Sequence, residues 1–359
     1  MTCLLRSSPA HHPRRPGRRR ALLRAGAWVL ASLLLLGGGA AAAPATEPRT
    51  LRVLFVGNSF TARHELTRVV AALAEEGQPG LRFDVATVIY GGRTLAHHWA
   101  LQTPNLIRRA SISAADVQAA ITLLEAEQER RRRAEAEPSA ARATDGISAQ
   151  HVAAALRHHR TLAAEPAASR RTWNVVVLQS YQDDLDPAGR AGFFEFAPKF
   201  AAIAQAEGAR VILYETTPST QHARPLDAAP EAAPVLAKAR ALAGLAARLG
   251  ADAVPMSLVA LRCQQVRPEL TLRFVNDAHL NQTMAYLTAC TFYGALFQRS
   301  PQGLRFGTVT DNRFDDQHRD RDRDGGALTR VFSARDRTDL QRIAWEGLEQ
   351  FRELHGARR

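Results

Sequence analysis

The feature that most constrains this chain is an alternation: short, mostly apolar runs are each followed by a longer amphipathic stretch. Leu51 to Val56, Phe83 to Ile89, Val175 to Leu178, Val211 to Tyr214 and Ala253 to Met256 have strand length and a Val/Ile/Phe/Leu bias. Strands apolar on both sides must be covered on both faces, which is the condition of a parallel sheet between helical layers. The stretches between and after them predict helices at Thr61 to Glu76, Gly192 to Glu207, Ala232 to Leu249, Asn281 to Gln298 and Asp336 to Leu354, with Gly208 and Gly250 placed as C-terminal stops. The expected fold is α/β: a three-layer α/β/α sandwich with a flavodoxin-like parallel sheet of about five strands.

The connection between the second and third strands is far longer than usual. Within it Val117, Ala120, Ile121 and Leu124 recur at helical spacing, and Ser113 with Asp116 resembles a capping box. We read residues 105–170 or so as an inserted helical cap, with Arg130 to Arg133 on a solvated helix face.

The formal charge of +12 suggests nucleic acid at first sight, but seven arginines lie in the first 45 residues, which hold no acid; removing them leaves 12 − 7 = +5. Nucleic-acid binding is therefore not expected. Those residues have the order of an export signal: a basic stretch, the apolar run Ala25 to Leu36, then small residues to Ala45. Arg19-Arg20-Ala21-Leu22-Leu23 resembles a twin-arginine pattern. The reading is export to the periplasm or beyond, with membrane contact only in transit; an uncleaved membrane anchor is the alternative, although the apolar run is short for a span. Of the later cysteines, Cys290 lies in the apolar stretch Tyr286 to Phe297 and reads as a buried thiol, with a Cys263–Cys290 disulfide as the alternative.

Two motifs carry chemistry. In Val56-Gly57-Asn58-Ser59-Phe60-Thr61 an apolar strand delivers a serine into a helix start, at the sheet edge where open α/β folds bind ligands. Its alternative is a helix-capping serine. Far downstream, Asn276-Asp277-Ala278-His279 sets a histidine beside an acid, just before an apolar helix. A serine hydroxyl is a weak nucleophile at neutral pH and needs such a base.

These blocks resemble the SGNH/GDSL hydrolase family, in a branch with Gly57-Asn58-Ser59-Phe60 where Gly-Asp-Ser-Leu is usual. The resemblance spans residues 51–103 and 172–298. It implies a hydrolase domain at 46–298, with 299–359 as a polar loop and closing helix. By resemblance Ser59 is the nucleophile and His279 the base. The family's Asp-x-x-His register falls on Asn276, whereas the nearest acid is Asp277, so either residue is a candidate to orient His279. The implied oxyanion hole comprises the N–H groups of Ser59 and Gly92 and, where the family has asparagine, the Gln179 amide, with Gln182 in reserve and also a substrate-binding candidate.

His97 and His98 read as surface histidines, with a place at the mouth of the site as the alternative; Tyr214 ends a strand at the same sheet edge and is a candidate to shape the pocket, and Glu215 is a candidate second acid. Asp320-Arg321-Asp322-Arg323-Asp324-Gly325 matches half a calcium loop, but Val331 stands where the bidentate glutamate belongs. No metal or organic cofactor is implied. The expected activity is ester hydrolysis through an acyl-serine, on O-acetyl or short-chain esters of carbohydrate or cell-envelope material. An acetyltransferase using the same acyl-serine and a carbohydrate-binding protein with a weakened site are the alternatives.

Overall fold

A computed structural model describes residues 49–136, 145–181, 185, 192–216 and 222–356. The segment read as an export signal lies outside them, as does Gln182. Among the described residues no helix is long and apolar enough to cross a membrane.

The chain runs β1 (Arg49–Gly57), α1 (Ser59–Ala62), α2 (Leu66–Gly77), β2 (Leu81–Ile89), α3 (Leu95–Ala100), α4 (Thr103–Ile107), α5 (Ala114–Ala136) and α6 (Ala149–Ala164). It continues β3 (Val175–Gln179), α7 (Gly192–Ala206), β4 (Arg210–Glu215), α8 (Ala233–Leu249), β5 (Asp252–Pro255), α9 (Met256–Val266) and α10 (Gln282–Phe297). A short hairpin, β6 (Thr308–Thr310) and β7 (Thr329–Val331), precedes α11 (Ala334–Gly356).

The five long strands form one parallel sheet in the order β2-β1-β3-β4-β5, the flavodoxin-like order, with helices on both faces. Strand parity explains the two cores. Leu54, Val56, Val176, Leu178, Val211 and Leu213 face the layer of α4 to α8. Val53, Phe55, Val175, Val177, Ile212 and Tyr214 face α2, α9, α10 and α11. The inner strands β3 and β4 and the second half of β1 are covered on both faces and read as apolar runs, whereas the edge strand β2 exposes Arg82 and Thr87. The helices of the insertion, α5 and α6, bury Val117, Ile121, Leu124, Val152 and Leu156 in the first core. Arg131 of the arginine run is itself buried, bonded to Asp145 and Ile147 O, while Arg130 and Arg133 pair with Glu127 and Glu129.

One predicted helix is broken. In place of Thr61 to Glu76 the chain forms α1, a turn at Arg63–Glu65, then α2, because His64 (φ 58°) and Glu65 (φ 48°) are left-handed. Two non-glycine residues there cost about 1–2 kcal/mol each. Side-chain bonds hold the turn: His64 N–H donates to Asn312 Oδ1 (3.2 Å), Asn312 Nδ2 donates to Ala62 O (2.8 Å), and the His64 ring Nε2 bonds Leu280 O (2.8 Å). Cys263 and Cys290 are both free and buried, and burial pushes the Cys263 thiol up to about 12.

Candidate active site

The strand order fixes where a site can form. From β1 the chain crosses to β2 on one side, then returns to β3 on the other, so the carboxyl ends of β1 and β3 flank the switch point. Ser59 leaves β1 at that point. Asn58, not Ser59, caps α1: its Oδ1 accepts Phe60 N–H at 3.1 Å. The Ser59 hydroxyl is thereby spared for another partner, and it donates to His279 Nε2 at 2.8 Å.

His279 sits on the loop before α10. Its Nδ1–H donates to Asp277 Oδ1 at 2.5 Å, which sets the tautomer that leaves Nε2 free to accept from Ser59. The same oxygen accepts the His279 backbone N–H at 3.0 Å, so the aspartate locks ring and backbone together. The Phe60 ring lies against the imidazole, centroids 4.9 Å apart. Asp277 thus occupies the third position. Asn276 does not: its backbone N–H bonds Asp324 Oδ1 at 3.1 Å, and it makes no hydrogen bond to His279 among the described residues.

Behind Asp277 lies a residue that sequence reasoning missed. Arg63 donates from Nη1 to Asp277 Oδ2 at 2.8 Å, and from Nε and Nη2 to Asp311 at 2.8 and 2.9 Å. Its side chain is 4% exposed and that of Asp311 fully buried. Partial burial works against the charge on Asp277, but hydrogen bonds from His279 and Arg63 outweigh it and hold the carboxyl well below the usual range. Desolvation likewise opposes the Arg63 charge, and its two carboxylate partners more than compensate.

Gln179 is displaced from its expected role. The Asn58 N–H can only donate, and it donates to Gln179 Oε1 (3.0 Å), which also accepts from Thr61 Oγ1 (2.5 Å). The amide nitrogen then points to Asn58 Oδ1 (2.6 Å) and Ser180 O (2.9 Å). With both donors spent and 2% exposure, Gln179 braces the turn carrying Ser59 from beneath and has no N–H left to donate into the site. This is also why position 57 is glycine: a Cβ there would run into Gln179 Oε1. The N–H groups of Ser59 and Gly92 have no hydrogen-bond partner among the described residues, so they remain available as donors. Gly92 presents its peptide at φ +65°, a conformation open to glycine.

The structure places four other candidate residues away from the expected role. Tyr214 is buried in the second core, edge-on to Phe292 at 5.0 Å, because its strand parity turns it onto a sheet face and away from the edge. Glu215 is also buried, and its carboxylate accepts the Ser257 N–H at 3.0 Å. His97 is spent on structure: Nδ1 accepts from Thr94 N–H (3.0 Å) and Nε2 donates to Asp145 O (2.8 Å). His98 is fully buried, its Nε2 donating to Gly57 O at 2.9 Å. In the half calcium loop, Asp322 accepts the N–H groups of Asp324 and Gly326, and Asp324 accepts those of Val275 and Asn276. That loop therefore supports the turn carrying Asp277. Among the described residues there is no group of three His, Cys, Asp or Glu placed to hold a metal ion.

No protein-family model and no curated protein matches the chain. A solved structure that it resembles is a DUF4886 family protein from Bacteroides uniformis, at 14% identity and a TM-score of 0.42, covering 84% of this chain and 95% of that one. So slight a likeness transfers no activity.

Proposed function

We propose that this chain is an exported serine ester hydrolase of the SGNH type, working through an acyl-serine on O-acetyl or other short-chain esters of carbohydrate or cell-envelope material. The observation that carries the reading is the unbroken line Ser59 Oγ to His279 Nε2 to His279 Nδ1 to Asp277, at 2.8 and 2.5 Å. In the proposed cycle Ser59 Oγ attacks the ester carbonyl while His279 Nε2 takes its proton. Asp277 stabilises the imidazolium, and the oxyanion lies toward the N–H groups of Ser59 and Gly92. The imidazolium then protonates the departing alkoxide. Water then attacks the acyl carbon as His279 Nε2 takes its proton, and the imidazolium passes that proton to Ser59 Oγ as the acyl–Oγ bond breaks and the acid leaves. The export pattern at the N-terminus favours substrates outside the cytoplasm. The His279–Asp277 bond supports this reading over the weakened-site alternative, which drew on Asn276 as third member.

The test is turnover of p-nitrophenyl acetate and of acetylated sugars. Ser59→Ala and His279→Ala are expected to lower kcat by roughly 10⁴- to 10⁶-fold. Full activity in a folded Ser59→Ala protein overturns the reading.

A further inference from the structure

We propose that Arg63 and Asp311 are positioning residues that balance the charge on Asp277 and thereby set the basicity of His279. The consequence for catalysis rests on the hydrolase reading; the electrostatic claim does not.

The geometry is a buried line of alternating charge. His279 holds one oxygen of Asp277 and Arg63 the other, and Asp311 takes Arg63 by two parallel bonds. A guanidinium this buried is costly unless paired, and Asp277 alone could pair it only by giving up its influence on the imidazole. Asp311 removes that conflict: it neutralises Arg63 and leaves the Asp277 charge directed at His279.

The other groups facing this line are accounted for. His64 lies with Nδ1 3.6 Å from Asp311 Oδ1, and burial lowers its pKa against the opposing pull of Asp311. Phe60 is apolar, and Asp324 is engaged by the amides of Val275 and Asn276. Arg63 belongs to the nucleophile turn and Asp311 to the segment after α10. The clamp therefore ties the triad to the C-terminal part of the chain, outside the span of the SGNH resemblance.

The sign of the effect separates this role from mere scaffolding. Removing the Arg63 charge strengthens the anionic field at His279 and favours the imidazolium; removing the Asp311 charge does the reverse. The experiment is an NMR titration of the His279 ring in the full chain, assigned by its loss in His279→Gln, alongside the acid limb of kcat/KM on p-nitrophenyl acetate. Arg63→Gln is expected to raise the His279 midpoint by about half a pH unit or more, and the near-isosteric Asp311→Asn to lower it by a similar amount. The double variant is expected between the two, and Arg63→Lys near wild type. Shifts of the same sign in both single variants, or shifts under about 0.2 unit, overturn the proposal. If the midpoints move as expected but no ester is cleaved, the clamp stands and the hydrolase reading falls. If ester is cleaved and the midpoints stay put, the hydrolase reading stands and the clamp falls.

Discussion

A single oxygen of Asp277 accepts both the ring Nδ1–H and the backbone N–H of His279, at 2.5 and 3.0 Å. Only Ala278 separates the two residues, one fewer than in the Asp-x-x-His pattern that the sequence resembles, yet the imidazole is held. An aspartate readily folds back on the N–H two residues ahead, and here that local turn places the ring nitrogen on the same oxygen.

Asp277→Ala is therefore expected to lower kcat by roughly 10³- to 10⁴-fold. Asn276→Ala should stay within about threefold of wild type, because the backbone N–H that Asn276 gives to Asp324 survives the substitution. Parallel kcat measurements on one ester decide it, and equal losses in both variants would contradict the assignment.

Gln179→Ala should act on stability. It strips partners from the Asn58 N–H, the Asn58 carbonyl oxygen and the Thr61 hydroxyl in a buried place. A loss of about 3 kcal/mol is expected, at roughly 1 kcal/mol per bond. Urea unfolding reads it directly; unchanged stability with a large loss of kcat would return Gln179 to the oxyanion hole.

His98 should make stability depend on pH. Burial pushes its pKa down to about 3, below the ordinary value of about 6.5 for an unfolded chain. The unfolded state therefore binds the proton first as pH falls. The stability it contributes is fully present above about pH 6.5 and drains away as pH falls toward 3. Unfolding free energies measured at pH 7 and 4.5 should fall less steeply in His98→Gln, which keeps an N–H for Gly57 O.

Asp324→Ala is expected to leave stability within about 1 kcal/mol, since the residue is exposed, yet to lower kcat several-fold by freeing the Val275 and Asn276 amides. Comparison of urea midpoints with kcat separates the two effects.

The sheet is legible in the sequence because its inner strands are buried on both faces, and each predicted strand falls within or at the boundary of an observed one. Ser59 and His279 stand out because each sits between a strand or loop and a helix start. Other residues escape for physical reasons. Arg63 lies where a helical pattern runs on through Thr61 to Glu76, and nothing in His64 or Glu65 announces a left-handed turn. Asp311 is remote from Arg63 in sequence, so only the fold could pair them. Gln179 is ambiguous because a glutamine at a strand end reads alike whether its amide points into the site or under the turn. Tyr214 is readable: alternation along Val211, Ile212, Leu213 and Tyr214 places it with Ile212 on the α10 side.

The central claim is that Ser59 is a nucleophile activated by His279. It is tested most directly by reaction with a fluorophosphonate probe followed by peptide mapping. The account predicts one adduct, on Ser59, absent in Ser59→Ala and formed far more slowly in His279→Ala. A folded protein that carries no adduct on Ser59, or a Ser59→Ala protein labelled at the wild-type rate, would contradict it.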